Sequence, residues 1–193
     1  MNLDKHFWSN KYKSQQTGWD IGYASPSIVS YFDQLNNKNI KILIPGCGNA
    51  YEAISLFENG FQNIYILDFV EDTLERFKVK YPHFPENQII NKDFFYFDGQ
   101  FDLIVEQTFF CALSPDLRTN YAFKMKSLLK PTGKLIGLFF SDTFEKTGPP
   151  FGGTKEEYVS LFSPLFKIKT LEKCYNSIPP RSGNELFFIF EAN

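Results

Sequence analysis

The chain of 193 residues has two histidines, His6 and His83, and neither stands beside a plausible nucleophile or a metal-spaced partner. That scarcity argues against serine-triad hydrolysis and against a histidine-rich metal centre. The three cysteines (47, 111 and 174) are widely separated and form no C-x-x-C pair. They read as reduced cytoplasmic thiols rather than a disulfide set or a zinc site. Basic runs are also missing, and the formal charge is −2. Neither nucleic acid nor an anionic membrane surface is then an expected partner. The opening "MNLDKHFWSN" carries no apolar export core, and no apolar run approaches the ~18 residues of a membrane span. The expectation is a cytoplasmic protein without a membrane partner.

Aromatic residues are plentiful instead: 23 Phe, 10 Tyr and 2 Trp. They can fill a core, and they can line a pocket for an apolar or cationic ligand. The length suits one well-buried domain. From Lys41 onward short apolar runs alternate with helical patterns. Residues 40–45, 63–69, 87–94, 100–107 and 134–140 read as strands, followed by two more candidates at 165–173 and 185–192. Helices are expected at 50–60, stopped by Gly60, at 70–81, at 115–133 and shortly after the Gly/Pro loop 146–154. A further amphipathic stretch, "SPSIVSYFDQL", has Ser25 as its candidate cap and Pro26 in its first turn. The pattern predicts an α/β fold with a doubly wound, mostly parallel sheet, the last two strands forming an antiparallel edge. Residues 1–39 precede this sheet as an arm and helix of the same single domain.

Ligands of such sheets bind outside the carboxyl ends of the strands. After the first strand comes "PGCGNAYE". Gly46 and Gly48 permit a tight turn and close approach of a ligand, but Tyr51 occupies the place of the third glycine that dinucleotide sites use. No Lys-Ser/Thr follows, so the turn is not a P-loop. Glycines alone also fit a plain strand-to-helix turn. Asp68 adds to them: it ends the second strand 22 residues after Gly46, where a carboxylate can accept from both hydroxyls of a ribose. A ribose without a pyrophosphate points to S-adenosylmethionine. Asp93, after the third strand, is placed to accept from the adenine amino group, with Phe94 against the ring. Cys47, between the two glycines, reads as a small tolerated residue rather than a nucleophile.

Five stretches together, "TGWDIGYASPSI", "ILIPGCGNAYEA", "FDLIVEQTFFCAL", "LLKPTGKLIGLFF" and "GPPFGGT", resemble the thiopurine S-methyltransferase family. The likeness is greatest to its plant-type branch of thiol and halide methyltransferases and their bacterial relatives. It runs from about Trp8 to the end of the chain. The resemblance implies that Trp8, Tyr12 and Trp19 close the cofactor site, with Tyr12 standing where Trp is common. It places Glu106-Gln107 where the family often has Asp followed by Arg or Tyr. Glu106 is then expected at the methionine end of the cofactor and Gln107 in the pocket wall. Phe110 and Phe151, in "QTFFCAL" and "GPPFGGT", are expected to line the acceptor side.

The function implied is transfer of a methyl group from S-adenosylmethionine to a small soft nucleophile, a thiol or hydrosulfide first and a halide next. Two alternatives remain at this level, a catalytically silent S-adenosylmethionine sensor and a nicotinamide-dependent oxidoreductase. Tyr51 and the lack of length for a substrate domain count against the second.

Overall fold

In the computed structural model, which describes residues 2–142, 144 and 147–193, the apolar runs assemble one seven-stranded sheet. Lys146, at the start of the Gly/Pro loop, lies outside the described residues. The strands are β1 (Ile42–Pro45), β2 (Ile64–Asp68), β3 (Ile89–Asn91), β4 (Phe101–Gln107), β5 (Leu129–Phe140), β6 (Phe166–Lys173) and β7 (Glu185–Ala192). Their spatial order is β3-β2-β1-β4-β5-β7-β6. β1 to β5 run parallel, and β7 enters antiparallel between β5 and β6. This is the doubly wound α/β arrangement that the alternation predicts, with its antiparallel edge.

Parallel neighbours require crossovers, and the helices α3 (Tyr51–Glu58), α4 (Glu71–Lys80) and α5 (Arg118–Leu128) supply them. α6 (Lys155–Phe162) follows β5, while α1 (Lys5–Lys13) and α2 (Pro26–Asp33) precede the sheet. Side chains alternate across the strands and divide the core in two. Ile42, Ile44, Ile66, Val105 and Ile136 pack with Ile28, Phe32, Ala53 and Leu74. Leu43, Leu67, Ile104 and Leu135 pack on the other face with Tyr121, Met125 and Phe162. The second face absorbs much of the phenylalanine: Phe139 stacks on Phe188 with ring centroids 4.0 Å apart, and Phe162 stacks on Phe139 at 5.5 Å. Among the described residues no helix is long and apolar enough to cross a membrane.

Local chemistry sets the element ends. Gly60, at φ +91°, closes α3: its amide donates to the Phe57 carbonyl and the Phe61 amide to that of Leu56, the pair of bonds a left-handed glycine stop provides. Three expectations shift. Ser25 does precede α2, but its side chain makes no cap; its amide instead donates to Glu52 Oε1 at 3.0 Å. The helix expected over 115–133 is confined to Arg118–Leu128, after a 3₁₀ turn at Pro115–Leu117. Pro131 disfavours helical backbone at Lys130, and Leu129 already pairs with Phe101 of β4. The polar segment before Gly18 contains α1, whose amide ends are met by Asp4: its carboxylate accepts from Phe7 N at 2.9 Å.

Candidate active site

The carboxyl ends of β1, β2, β4 and β5 open into one cavity of about 530 Å³, within the range of small-molecule sites. Its floor is the turn between β1 and α3. Gly46 and Gly48 hold φ +58° and +51°, in the left-handed region that glycine enters without cost. Both are also close approaches: the Phe109 ring fills the space beside Gly46, and a side chain at Gly48 would meet Tyr12 Oη. Asp68 ties the turn to β2. Its Oδ2 accepts from Gly48 N and its Oδ1 from Val70 N, both at 2.9 Å. Burial raises the Asp68 pKa, and those amide donors partly offset the rise.

The arm forms the opposite wall. Trp8 and Tyr12 project from α1, and Trp19 follows it; the three rings meet edge to face, Trp19 lying 5.4 Å from Trp8 and 5.7 Å from Tyr12. No residue of α1 is buried. Polar contacts fasten it to the start of α4 instead: Lys13 to Asp72 at 3.1 Å, Lys5 to Glu71 at 3.6 Å, and Ser9 Oγ to Asp72 at 3.3 Å. Beyond α1, Asn49 Nδ2 of the glycine turn donates to Asp20 Oδ2 at 2.6 Å. Arg181 Nη2 donates to the Trp19 carbonyl at 2.7 Å.

Of the residues singled out in the sequence, Trp8, Tyr12, Trp19, Gly46, Gly48, Asp68, Phe94 and Gln107 line this cavity. Four do not. Asp93 turns back to accept from Phe95 N at 2.8 Å, capping the 3₁₀ turn Phe94–Tyr96, and Lys92 lines the cavity in its place. Glu106 is fully buried; strand alternation sends its side chain toward α5, where Tyr121 Oη donates to it, while Gln107 takes the cavity side. Phe110 is buried among Tyr121, Phe139 and Tyr158, leaving Thr108, Phe109, Cys111 and Ala112 to form the wall. Phe151 donates its amide to the Cys111 carbonyl at 2.7 Å, and Pro149 and Pro150 reach the cavity rather than its ring.

The structure also brings in residues that the sequence reading missed. Asp20 stands beside Trp19 within a stretch already singled out, so its position was legible. Arg181 was not: it lies 74 residues beyond Gln107, in the 3₁₀ turn Pro179–Arg181 ahead of β7. There it pairs with the buried Glu185 at 3.5 Å and lies over Phe140. Cys47 and Cys111 both line the cavity, and burial pushes both thiols well up, so neither is a resident thiolate at neutral pH.

The sequence model of the family described as thiopurine S-methyltransferase matches residues 3–191 of this chain. The chain belongs to the thiopurine S-methyltransferase family. It is therefore an S-adenosylmethionine-dependent methyltransferase, and the nicotinamide-dependent alternative falls. Among its relatives, the probable thiol methyltransferase 2 of Arabidopsis thaliana is 31% identical over 184 residues, covering 92% of this chain and 81% of the relative. The thiopurine S-methyltransferase of Vibrio cholerae is 27% identical over 177 residues, with 82% and 81% covered. In fold, the methyltransferase is similar to the 1,6-didemethyltoxoflavin-N1-methyltransferase of Burkholderia thailandensis, solved with S-adenosylhomocysteine (TM-score 0.79, 17% identity, 99% of this chain and 88% of that one). It is likewise similar to the magnesium protoporphyrin IX methyltransferase of Synechocystis PCC 6803, solved with S-adenosylmethionine (TM-score 0.75, 13% identity, 100% and 98% covered).

Proposed function

We propose that the cavity holds S-adenosylmethionine and a small thiol side by side, and that the methyltransferase acts on the ionised form of that thiol. The observation that carries this reading is a wall rich in aromatic rings around a site without histidine among its described lining residues. Its carboxylates are engaged: Asp20 accepts from Asn49 and Gly22, Glu52 from Ser25, and Asp68 from Gly48 and Val70.

The residues present fit the cofactor. The two glycines clear space for a ligand against the backbone, and Asp68 at the end of β2 has carboxylate lone pairs left for ribose hydroxyls. Phe94 offers a face for the adenine. Trp8, Tyr12 and Trp19 surround a cation with π density and offer it no competing nucleophile. When bound, S-adenosylmethionine supplies an electrophilic methyl group on a sulfonium. The chain's own contribution is to hold two reactants in line and to keep water out, and alignment of that kind supplies up to ~7–11 kcal/mol. The acceptor belongs on the side of Thr108, Cys111, Pro150 and Arg181, whose guanidinium, though paired with Glu185, keeps further N–H donors that suit an anion better than a neutral amine. Halides satisfy the same requirement and are the second acceptor class. The whole chain acts as one domain, with the arm from Phe7 to Tyr23 covering the cofactor and α2 packed into the core behind it.

Incubation with methyl-labelled cofactor and a panel of thiols, halides and amines tests the reading. Labelled thioether is the expected product, and label on an amine overturns the proposed acceptor. Tight cofactor binding with no product from any acceptor would make the protein a sensor. Asp68→Ala should weaken cofactor binding by ~1–3 kcal/mol, the loss of hydrogen bonds to a charged acceptor.

A further inference from the structure

Glu106 is a fully buried carboxylate that does not line the cavity, and no cation pairs with it among the described residues. Such a group is costly to keep unless its bonds matter. Its bonds all run to the acceptor side of the site or to the helix behind it. Oε1 accepts from Phe109 N at 2.8 Å and from Phe110 N at 2.9 Å, and Oε2 accepts from Tyr121 Oη at 2.5 Å. The amides begin directly after Thr108, which holds φ +57°, a strained conformation that a β-branched residue rarely adopts. Past that strained corner, the Phe109 ring lands on Gly46 of the cofactor turn, and Cys111 and Ala112 face the cavity.

We infer that Glu106 is a positioning residue for methyl transfer: its buried carboxylate bends the loop 108–112 into place and sets the acceptor wall against the cofactor turn. The inference rests on the methyltransferase reading, and it adds to it the group that fixes how far apart the two halves of the site sit. The charged form is the one suited to the task, since three donors converge on its two oxygens, and protonation turns one of those acceptor sites into a donor. The titratable groups that face Glu106 are Tyr121 from α5 and Cys111 from the loop; its partner in β5, Gly137, adds none. Burial raises Glu106 from the ordinary carboxylate range to about 7, so the charged form is lost within an accessible pH interval.

The test uses a strongly electron-poor aryl thiol, chosen so that its own pKa lies at least ~2 units below the ordinary thiol value and well under the lowest pH used, so the acceptor contributes no pH dependence. In the unaltered enzyme, kcat/KM for the thiol should fall with acid below about pH 7. In Glu106→Gln that acid limb should vanish, and kcat/KM at high pH should drop by about tenfold to about a hundredfold, the cost of misplacing a reacting partner by ~1 Å. Cofactor affinity, measured by calorimetry, should change far less, because Asp68 holds the glycine turn separately. Tyr121→Phe keeps the carboxylate but removes a bond that favours its charged form, and the limb should move to higher pH. Hydrogen exchange should show faster exchange at the Phe109 and Phe110 amides in Glu106→Gln, with the amides of β1 and β2 unchanged. An unaltered acid limb together with unaltered protection at 109 and 110 overturns the inference. Absence of thiol methylation by the unaltered enzyme counts against the acceptor assignment instead, and the exchange measurement still decides the role of Glu106.

Discussion

The Phe109 ring occupies the space beside Gly46 that a side chain at 46 would need. The loop 108–112 and the glycine turn after β1 thus interlock through one aromatic ring and one missing Cβ. Gly46→Ala meets two obstacles: φ of +58°, which costs an L-residue roughly 1–2 kcal/mol, and collision with that ring. Stability and cofactor affinity should both fall. In a Phe109→Ala background the collision with the ring is removed, leaving only the Cβ of residue 109 at 2.9 Å, while the backbone strain stays, so Gly46→Ala should cost less there. A double-mutant cycle by thermal unfolding should return a coupling of ~0.5–3 kcal/mol. Strict additivity would mean that the two residues do not constrain each other.

Glu106 also predicts how stability depends on pH. Its pKa rises on folding, from 4.5 to about 7, with burial as the dominant cause and the Tyr121 and backbone donors opposing it. The folded state therefore binds the proton more tightly than the unfolded state does. The associated stability is fully present below about pH 4.5 and is lost as pH rises toward 7. Glu106→Gln removes this titration. Unfolding followed in denaturant should show the variant gaining on the parent between these limits, and a constant difference across them would refute the shift. The ionised carboxylate that aligns the loop is thus the form that destabilises the fold, a common tension at functional sites.

How much of this could be read from the sequence differs by element. β1, β2, β4 and β7 appear within about two residues of their apolar runs, because buried parallel and central strands are nearly continuous in Ile, Leu, Val and Phe. α1 has no buried residue, so it leaves no apolar stripe to read, and what marks it is the Asp4 cap and the packing of Trp8 and Tyr12 on Trp19. The cavity floor was legible because glycine and acid sit at fixed places after β1 and β2. The residues after β3 and β4 were harder. Within β4 alternation turns Gln107 to the cavity and Glu106 away from it, while past β3 Asp93 turns back to cap the Phe94–Tyr96 turn and leaves Lys92 at the cavity. Arg181 comes from the far end of the chain, and only the antiparallel entry of β7 beside β5 brings it near Trp19. Nothing local in its sequence reports that.

The arm should respond to salt and to cofactor. Its helix α1 contributes no buried residue, and the pairs Lys5–Glu71 and Lys13–Asp72 are exposed, each contributing little and screened by ions. Hydrogen exchange on residues 5–13 should be fast without S-adenosylmethionine, faster still at high salt, and slow once the cofactor supplies a surface for Trp8 and Trp19. Equal protection with and without the cofactor would make the arm ordinary structure.

The last expectation concerns who ionises the acceptor. Cavity carboxylates are held by amide or side-chain donors, histidine is absent among the described lining residues, and the Cys47 and Cys111 thiols are pushed up by burial. With no histidine and no resident thiolate among these lining residues, the thiolate is expected to arrive ionised from solution. An alkyl thiol near pKa ~8.5 is a few per cent ionised at neutral pH, which a soft and readily desolvated nucleophile tolerates and an alcohol does not. With a series of thiols, kcat/KM should rise with pH through each acceptor's own pKa and level off above it. The inflection should move from thiol to thiol, while any limb belonging to Glu106 stays fixed near 7. Steady-state rates across acceptors of graded pKa provide the check. An inflection that ignores the acceptor and persists in Glu106→Gln would reveal an enzyme base in the cavity, and the solution-ionised thiolate would then have to be abandoned.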